Sequence, residues 1–352
     1  MKKDWMVKES ELDEYEIKLL TSILDKSCVV TGCAGSGKSV IALLMAKRIQ
    51  KECGDNYEII VYTKSLRKYM ALGSSELGLT KGIYYHWQWK KQCHCPTADY
   101  VIVDEIQDFT GDEIAEFVKA ANKHVFFFGD TAQSIFEDFR PVVPISDIDK
   151  FLQPERPKKV NLLYNYCLPV RVARFVQNVG IDLPDFEEGV FKSKENAAPF
   201  VLEYESVQDQ VEAIVRIINR NDLDDVAVLL PDGQSVKLVR SFLTKMGVKH
   251  EFKYEDRETG AWYDTLDFNT PNPKLMTYHS AKGLRFVSVF LPCVRNFIGL
   301  KTGDRKALYV AMTRTYRDLY VMYSGSMPDV LSRIPTSQYK TVEPGKESIE
   351  DI

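Results

Sequence analysis

The chain has 352 residues, 45% of them hydrophobic and 27% charged, and a net charge of −4. That is chain enough for two cores, without an overall cationic field to draw in nucleic acid, so any such contact must lie in a local groove. No run approaches the roughly 18 apolar residues of a membrane span, the opening MKKDWMVKESELDEYE is charged rather than apolar, and the seven scattered cysteines fit reduced thiols in a cytoplasm.

In chain order, CVVT at 28–31 predicts a short buried strand, and GCAGSGKS follows at 32–39. VIALLMAKRIQKECG then sets Val40, Leu43, Leu44 and Ala46 on one helical face, with Gly54 as the stop. Strands are expected at 57–63, 99–104 and 124–130, with a helix over GDEIAEFVKAANK between the last two. CHCP at 93–96 offers three soft ligands too tightly spaced for a usual zinc site and reads as a loop. The pattern restarts with a strand at 200–206 and a helix over VQDQVEAIVRIINR, for which Ser206 and Asp209 suggest a capping box. DVAVLLP, KLMTYHS, VSVFLP and LYVMYS predict further strands, the last preceded by a helix carrying RKALYVAMTR. Near-continuous apolar strands alternating with helices imply an α/β fold with parallel sheets covered on both faces. The Pro- and charge-rich FLQPERPKKV predicts a boundary, giving domains over 1–157 and 158–335 and a loose tail over 336–352.

GCAGSGKS fits the phosphate-loop pattern G-x-x-x-x-G-K-[ST], and its place between a strand and a helix is the one the mechanism requires. Gly32, Gly35 and Gly37 let backbone N–H groups turn toward phosphate oxygens, and the helix N-terminus adds partial positive charge. Lys38 then reaches the β- and γ-phosphates of ATP and Ser39 ligates Mg2+. Such a loop needs an acid at the end of a neighbouring strand to hold the metal, and Asp104 in YVIVDEIQD supplies one. Glu105, one residue on, is placed to orient or deprotonate an attacking water.

With DEIQD the chain resembles the UvrD/Rep/PcrA-like helicases of superfamily 1, over about residues 12–325. GCAGSGKS resembles their motif I, VYTKS at 61–65 motif Ia, YYHWQW at 84–89 motif Ib, DEIQDF motif II and GDTAQSIF at 129–136 motif III. LLYNYCLP at 162–169 is similar to motif IV, TYHSAKGLRF at 277–286 to motif V, and LYVAMTR at 308–314 to motif VI. The resemblance implies two tandem RecA-like P-loop NTPase domains and an enzyme that hydrolyses ATP while moving 3′ to 5′ on single-stranded DNA, with RNA left open. It also implies roles: Gln133 senses the γ-phosphate, Arg314 acts as an arginine finger, Tyr166 stacks on the base, and Gly283 falls among the nucleotide contacts. Single-strand grooves need aromatics for stacking, and Trp87, His279, Phe136 and Phe139 are candidates, with Thr63 beside the cations of TKSLRKY. The resemblance implies that Phe136 or Phe139 occupies the region where the family stacks a base.

Four positions depart from that pattern, all at nucleotide contacts. Glu16 stands for the glutamine that reads adenine, Val40 for the arginine after the P-loop, Cys167 for the motif IV arginine, and Arg285 for the glutamate of motif V. Base recognition is thereby reduced to stacking, which predicts use of GTP or CTP nearly as well as ATP. The large insertions usual in both halves of the family are absent, leaving a bare pair of lobes. The alternative reading is a nucleotide switch that serves as the ATPase subunit of a larger repair or defence complex, held by a protein partner and without a membrane.

Overall fold

The computed structural model describes residues 12–22, 24–295 and 302–342, and these divide into two compact units between Tyr166 and Cys167. The first lobe opens with α1 (Glu14–Ser22), followed by β1 (Cys28–Gly32), α2 (Lys38–Cys53), β2 (Tyr57–Val61) and α3 (Lys64–Glu76). β3 (Ile83–Tyr85), α4 (His86–Lys91), β4 (Ala98–Val103), α5 (Gly111–Ala120), β5 (Ala121–Gly129) and β6 (Lys158–Leu162) complete it. The six strands form one parallel sheet in the order β3-β2-β4-β5-β1-β6.

The two-residue period of a strand explains how this sheet is covered. Val30, Ile59, Ile102, Phe126 and Phe128 point to one face, where they pack with Ile41 and Met45 of α2. Their neighbours Val29, Ile60, Val101, Val103 and Phe127 point to the other, against Trp89 of α4 and Phe117 of α5. Both faces are therefore dry, which leaves the polar ends of the strands open to chemistry.

The second lobe contains α6 (Val170–Gln177), β7 (Phe200–Tyr204), α7 (Val207–Arg220), β8 (Val226–Leu230), α8 (Gly233–Lys245) and β9 (Glu251–Glu255). β10 (Trp262–Asp264), β11 (Lys274–Thr277), β12 (Phe286–Leu291), α9 (Thr302–Met312) and β13 (Thr315–Ser324) follow. Its seven-stranded sheet runs β10-β9-β11-β8-β12-β13-β7, parallel except for the β9–β10 hairpin at one edge. The amphipathic α7 buries Val211, Ile214 and Ile217 against Leu202, Val228 and Phe290 of that sheet.

Several expectations shift. Residues 121–123 belong to β5 rather than to the preceding helix, because Ala121 already pairs with Ala98 of β4. KKVNL, in the expected linker, is β6 of the first sheet, paired with β1. The division between units accordingly falls after Tyr166, not after residue 157. The first described residues of the expected tail are docked: Lys340 bridges to Phe200, its N–H donating to the Pro199 carbonyl while its own carbonyl accepts from Val201 N–H. The rest of the tail, from 343, lies outside the described residues.

Candidate NTP-hydrolysis site

The first-lobe site is built where strands β1, β4 and β5 end. β1 stops at Gly32, and the chain turns through a loop in which Gly35 (φ 93°) and Gly37 (φ 82°) both adopt the left-handed region that side chains disfavour. A Cβ at Gly35 would collide with the Asn165 amide, and one at Gly37 would lie 2.9 Å from Glu16 Oε1. The loop is held from outside: Asn165 Nδ2 donates to the Ala34 carbonyl and Tyr166 N–H to that of Gly35, at 3.1 Å. Within it, the Ser36 hydroxyl is buried without a hydrogen-bond partner, a deficit that a phosphate oxygen would remove.

Lys38 opens α2 and folds back over the loop. Its ammonium donates to the carbonyls of Gly32 (2.8 Å) and Cys33 (2.9 Å) and lies 3.9 Å from Asp130 Oδ2. Ser39 Oγ donates to Asp104 Oδ2 at 2.5 Å. Asp104 follows β4, which is not the neighbour of β1: β5 lies between them, so the acid reaches the loop from one strand further off than the neighbouring strand expected from the sequence. Two adjacent hard oxygen donors beside a phosphate loop suit Mg2+, and Ser39 and Asp104 are the residues that would hold it. When bound, that ion would neutralise charge building on the phosphate oxygens.

Asp104 is fully buried, and burial is the first cause raising its pKa above the ordinary carboxylate value; the adjacent Glu105 raises it further, while Ser39 and Lys38 act in the opposite sense. Glu105 sits in the left-handed region (φ 59°, ψ 42°), a strained conformation for a glutamate that turns the chain sharply out of β4. Its N–H donates to Asp104 Oδ1 at 2.9 Å, and its carboxylate accepts from Gln107 Nε2. Gln107 in turn accepts from Asp130 N–H at 3.0 Å, and Gln133 Nε2 donates to Asp130 Oδ2 at 2.6 Å. Glu105 and Gln133 thus belong to one buried network, joined by Gln107 and Asp130. Those two linking residues lie inside DEIQD and GDTAQSIF, and the strand-end position of Asp130, the same as that of Asp104, is the signal that marks it.

The sequence matches the family described as the viral superfamily 1 RNA helicase core domain over residues 28–323. The chain belongs to that family. As a superfamily 1 helicase core it is an NTP-hydrolysing enzyme that acts on nucleic acid, and its two α/β lobes with parallel sheets fit tandem RecA-like domains. None of the curated proteins matches the sequence. Among solved structures, the arterivirus nonstructural protein 10 helicase is 14% identical with a TM-score of 0.46, covering 88% of this chain and 61% of its own. The C-terminal domain of a possible DNA helicase from Lactobacillus plantarum WCFS1 is 17% identical with a TM-score of 0.39, covering 50% of this chain and 98% of its own.

In this helicase core, α1 and the segment after β6 flank the phosphate loop. Asp13 and Glu16 cap the helix reciprocally, Asp13 N–H donating to Glu16 Oε2 (3.0 Å) and Glu16 N–H to Asp13 Oδ1 (2.7 Å). Tyr166 OH donates to Asp13 Oδ2 at 2.5 Å, and its ring meets Tyr164 edge-on. Burial raises the Glu16 pKa to about 7. Val40 is buried in the core.

The strand-binding candidates of the first lobe fall into three kinds. Trp87 is 52% exposed and stacks on Tyr85 at 6.2 Å, while Lys64 lies over the Tyr85 ring. Phe139 is 64% exposed, whereas Phe136 is half-buried against Tyr62. Thr63 spends its hydroxyl capping α3, accepting from Leu66 N–H at 3.1 Å. Trp89, beside Trp87 in sequence, is fully buried core and offers nothing to a ligand. Sequence reasoning missed Arg140, which donates to Tyr62 OH (2.9 Å) and to Glu113 Oε1 (2.6 Å) and so braces the Tyr62–Phe136 pair.

In the second lobe, His279 lines a cavity of about 50 Å³ with Tyr278, Arg295 and Asp304, and burial lowers its pKa. Gly283 turns the chain with φ 78° between β11 and β12. Arg314 is 2% exposed; its Nε donates to the Val310 carbonyl (2.8 Å) and its Nη2 to Thr313 Oγ1 (2.9 Å). Cys167 is half-buried, and Arg171 lies exposed at the start of α6.

Proposed function

We propose that this helicase core is an ATP-hydrolysing motor of the UvrD-like type that translocates 3′ to 5′ on single-stranded DNA, using Mg2+. The observation that supports it is the continuous buried network from Ser39 and Asp104 through Glu105, Gln107 and Asp130 to Gln133. Ser39 and Asp104 hold the metal, and Lys38 exchanges its two loop carbonyls for phosphate oxygens. Glu105 takes the proton of the attacking water, and Gln133 reports the state of the γ-phosphate through Asp130. Phosphoryl transfer is accelerated mainly by positioned charge, so Arg314 has the role of a finger that meets the γ-phosphate. Trp87 and Phe139, exposed on the first lobe, serve as stacking platforms for the strand.

A second reading is a nucleotide switch in a larger assembly. It is favoured by Arg314, which donates to Val310 and Thr313 of its own lobe. Hydrolysis of ATP with and without single-stranded DNA or RNA, for the parent chain and for Lys38→Ala and Glu105→Gln, separates the two. The motor reading expects strong stimulation by DNA that both variants abolish. Slow turnover indifferent to either nucleic acid would replace it with the switch, and stimulation by RNA alone would move the motor to RNA.

A further inference from the structure

The corner between α9 and β13 holds two arginines on one threonine. Arg285 Nη1 donates to the Thr313 carbonyl at 2.6 Å, and the next residue, Phe286, gives its N–H to the Arg314 carbonyl at 3.0 Å. The peptide groups on both sides of the Arg314 Cα are therefore held by the leading end of β12. On the other side of the same threonine, Thr313 Oγ1 accepts from Arg314 Nη2 (2.9 Å) and donates to the Val310 carbonyl (2.8 Å), which also accepts from Arg314 Nε.

The carboxyl end of a helix leaves carbonyls without intrahelical partners and carries partial negative charge, so a guanidinium is favoured there. This end carries two. Arg314 cannot reach a phosphate without giving up Val310 and Thr313. The Val310 carbonyl would keep its bond from Thr313 Oγ1, but that buried hydroxyl would lose the donor it now has, which opposes the departure. Arg285 is bound to the carbonyl of Thr313, not to its side chain, and stays when Arg314 leaves. It keeps a cation on the helix end and fixes the backbone from which the Arg314 side chain swings. The glutamate of the resembled motif V pattern has no N–H to give that carbonyl, so this contact belongs to the arginine found here.

We propose that Arg285 is a positioning residue for Arg314, clamping the Thr313 peptide so that the Arg314 guanidinium is delivered to the phosphate in one geometry. The proposal rests on the reading of Arg314 as the finger. A misplaced catalytic group of this kind costs on the order of tenfold to a hundredfold in turnover. A residue that only caps α9 would change thermal stability instead and leave turnover of the folded enzyme alone.

The test is steady-state ATP hydrolysis by the full chain at saturating single-stranded DNA for Arg285→Ala, Arg285→Lys, Arg314→Ala and the Ala/Ala double variant, with thermal melts alongside. Arg285→Ala is expected to lower kcat about tenfold or more with KM for ATP little changed, and Lys, with one N–H for the carbonyl, to restore part of it. The double variant should be no slower than Arg314→Ala alone. Unchanged kcat in Arg285→Ala, or losses that multiply in the double variant, would overturn the proposal. If Arg314→Ala is itself fully active, the finger reading falls and takes this inference with it, a result distinct from a silent Arg285. Should Arg285→Ala not fold, Arg285→Lys and Arg285→Gln decide: turnover falling from Arg to Lys to Gln at constant KM supports the clamp, and equal turnover refutes it.

Discussion

At the strand ends of the first lobe the buried charges are mostly acidic: Asp104, Glu105, Asp108 and Asp130 are buried there with Lys38, whose ammonium lies 3.9 Å from Asp130 Oδ2. At the α9–β13 corner of the second lobe the buried charge is a guanidinium, Arg314, with Arg285 next to it. The two regions also differ in how well they are satisfied. The first contains a buried serine hydroxyl without a partner and an aspartate whose ionised form is disfavoured by burial, so a cation and a polyphosphate would relieve it. In the second, Arg314 already donates to a carbonyl and a hydroxyl of its own helix end. A ligand would have to displace bonds in both regions, those of Lys38 to the Gly32 and Cys33 carbonyls and those of Arg314 to Val310 and Thr313. The first region differs in holding an unpartnered hydroxyl, that of Ser36, which a ligand would satisfy.

The largest effect that tests this contrast is the loss of Arg314. An arginine finger is worth about 10³-fold or more in turnover, so Arg314→Ala should lower kcat by about that factor, while a purely structural arginine would show up in the melting temperature alone. Single-turnover ATP hydrolysis reads the chemical step directly, and a loss of less than about tenfold would leave the second region as scaffold.

A smaller effect distinguishes the exposed aromatics of the two lobes. Trp87 stacks on Tyr85 beside Lys64, whereas Trp262 and Tyr263 lie on the β9–β10 hairpin among Glu255, Asp256, Glu258 and Asp264. Base stacking contributes about 1–3 kcal/mol, so Trp87→Ala should weaken single-strand affinity by roughly 5- to 150-fold in an anisotropy titration. Trp262→Ala, whose cross-strand neighbour is Glu255, should leave it unchanged. Equal losses in both variants would mean that the strand does not choose the first lobe by charge.

Central elements were legible in the sequence because burial on both faces leaves a continuous apolar run: CVV, EIIV, YVIV and VFFF all became strands. Edge elements were not. β6 reads KKVNL and alternates in exposure, and β10 is exposed at all three positions, so neither carries a hydrophobic signature. At the site, the P-loop and the acids could be read because strand ends and glycine turns leave a local mark. The bracing by Gln107, Asp130, Asn165 and Arg140 depends on contacts between distant segments, which one-dimensional spacing does not reveal. The reciprocal cap between Thr110 and Glu113 is written in the sequence as T-x-x-E, while the one expected at Ser206 has its serine half, accepting from Asp209 N–H at 3.2 Å.

That difference between caps is itself measurable. Thr110 accepts from Glu113 N–H, and Glu113 answers by accepting from Thr110 N–H at 2.9 Å while also pairing with Arg140. Removing a cap residue costs about 1 kcal/mol. Thr110→Ala removes the hydroxyl that accepts from Glu113 N–H and leaves the backbone bond from Thr110 N–H to Glu113, so it should lower the stability of the first lobe by about that amount in urea titration. Glu113→Ala removes the reciprocal bond and the Arg140 pair together and should lower it by more; a loss no larger than that of Thr110→Ala would show that the reciprocal bond adds nothing.

The smallest effect concerns Glu16, which lies against the phosphate loop. Burial raises its carboxyl from the ordinary 4.5 to about 7, against a backbone N–H from Asp13 that favours the ionised form. Because the folded value lies above the unfolded one, the folded protein binds the extra proton between the two. Stability contributed at this position is then retained below about pH 4.5, declines as the pH rises toward 7, and stays lost above it. Glu16→Gln keeps the shape and removes the proton, so it should flatten that decline: the parent should lose melting temperature relative to the variant between pH 5 and 7, and the gap should stop growing once Glu16 is ionised. Parallel profiles across that window would show that Glu16 is already ionised in the folded protein, and that the first lobe carries one more negative charge beside its phosphate loop than the contrast between the lobes allows.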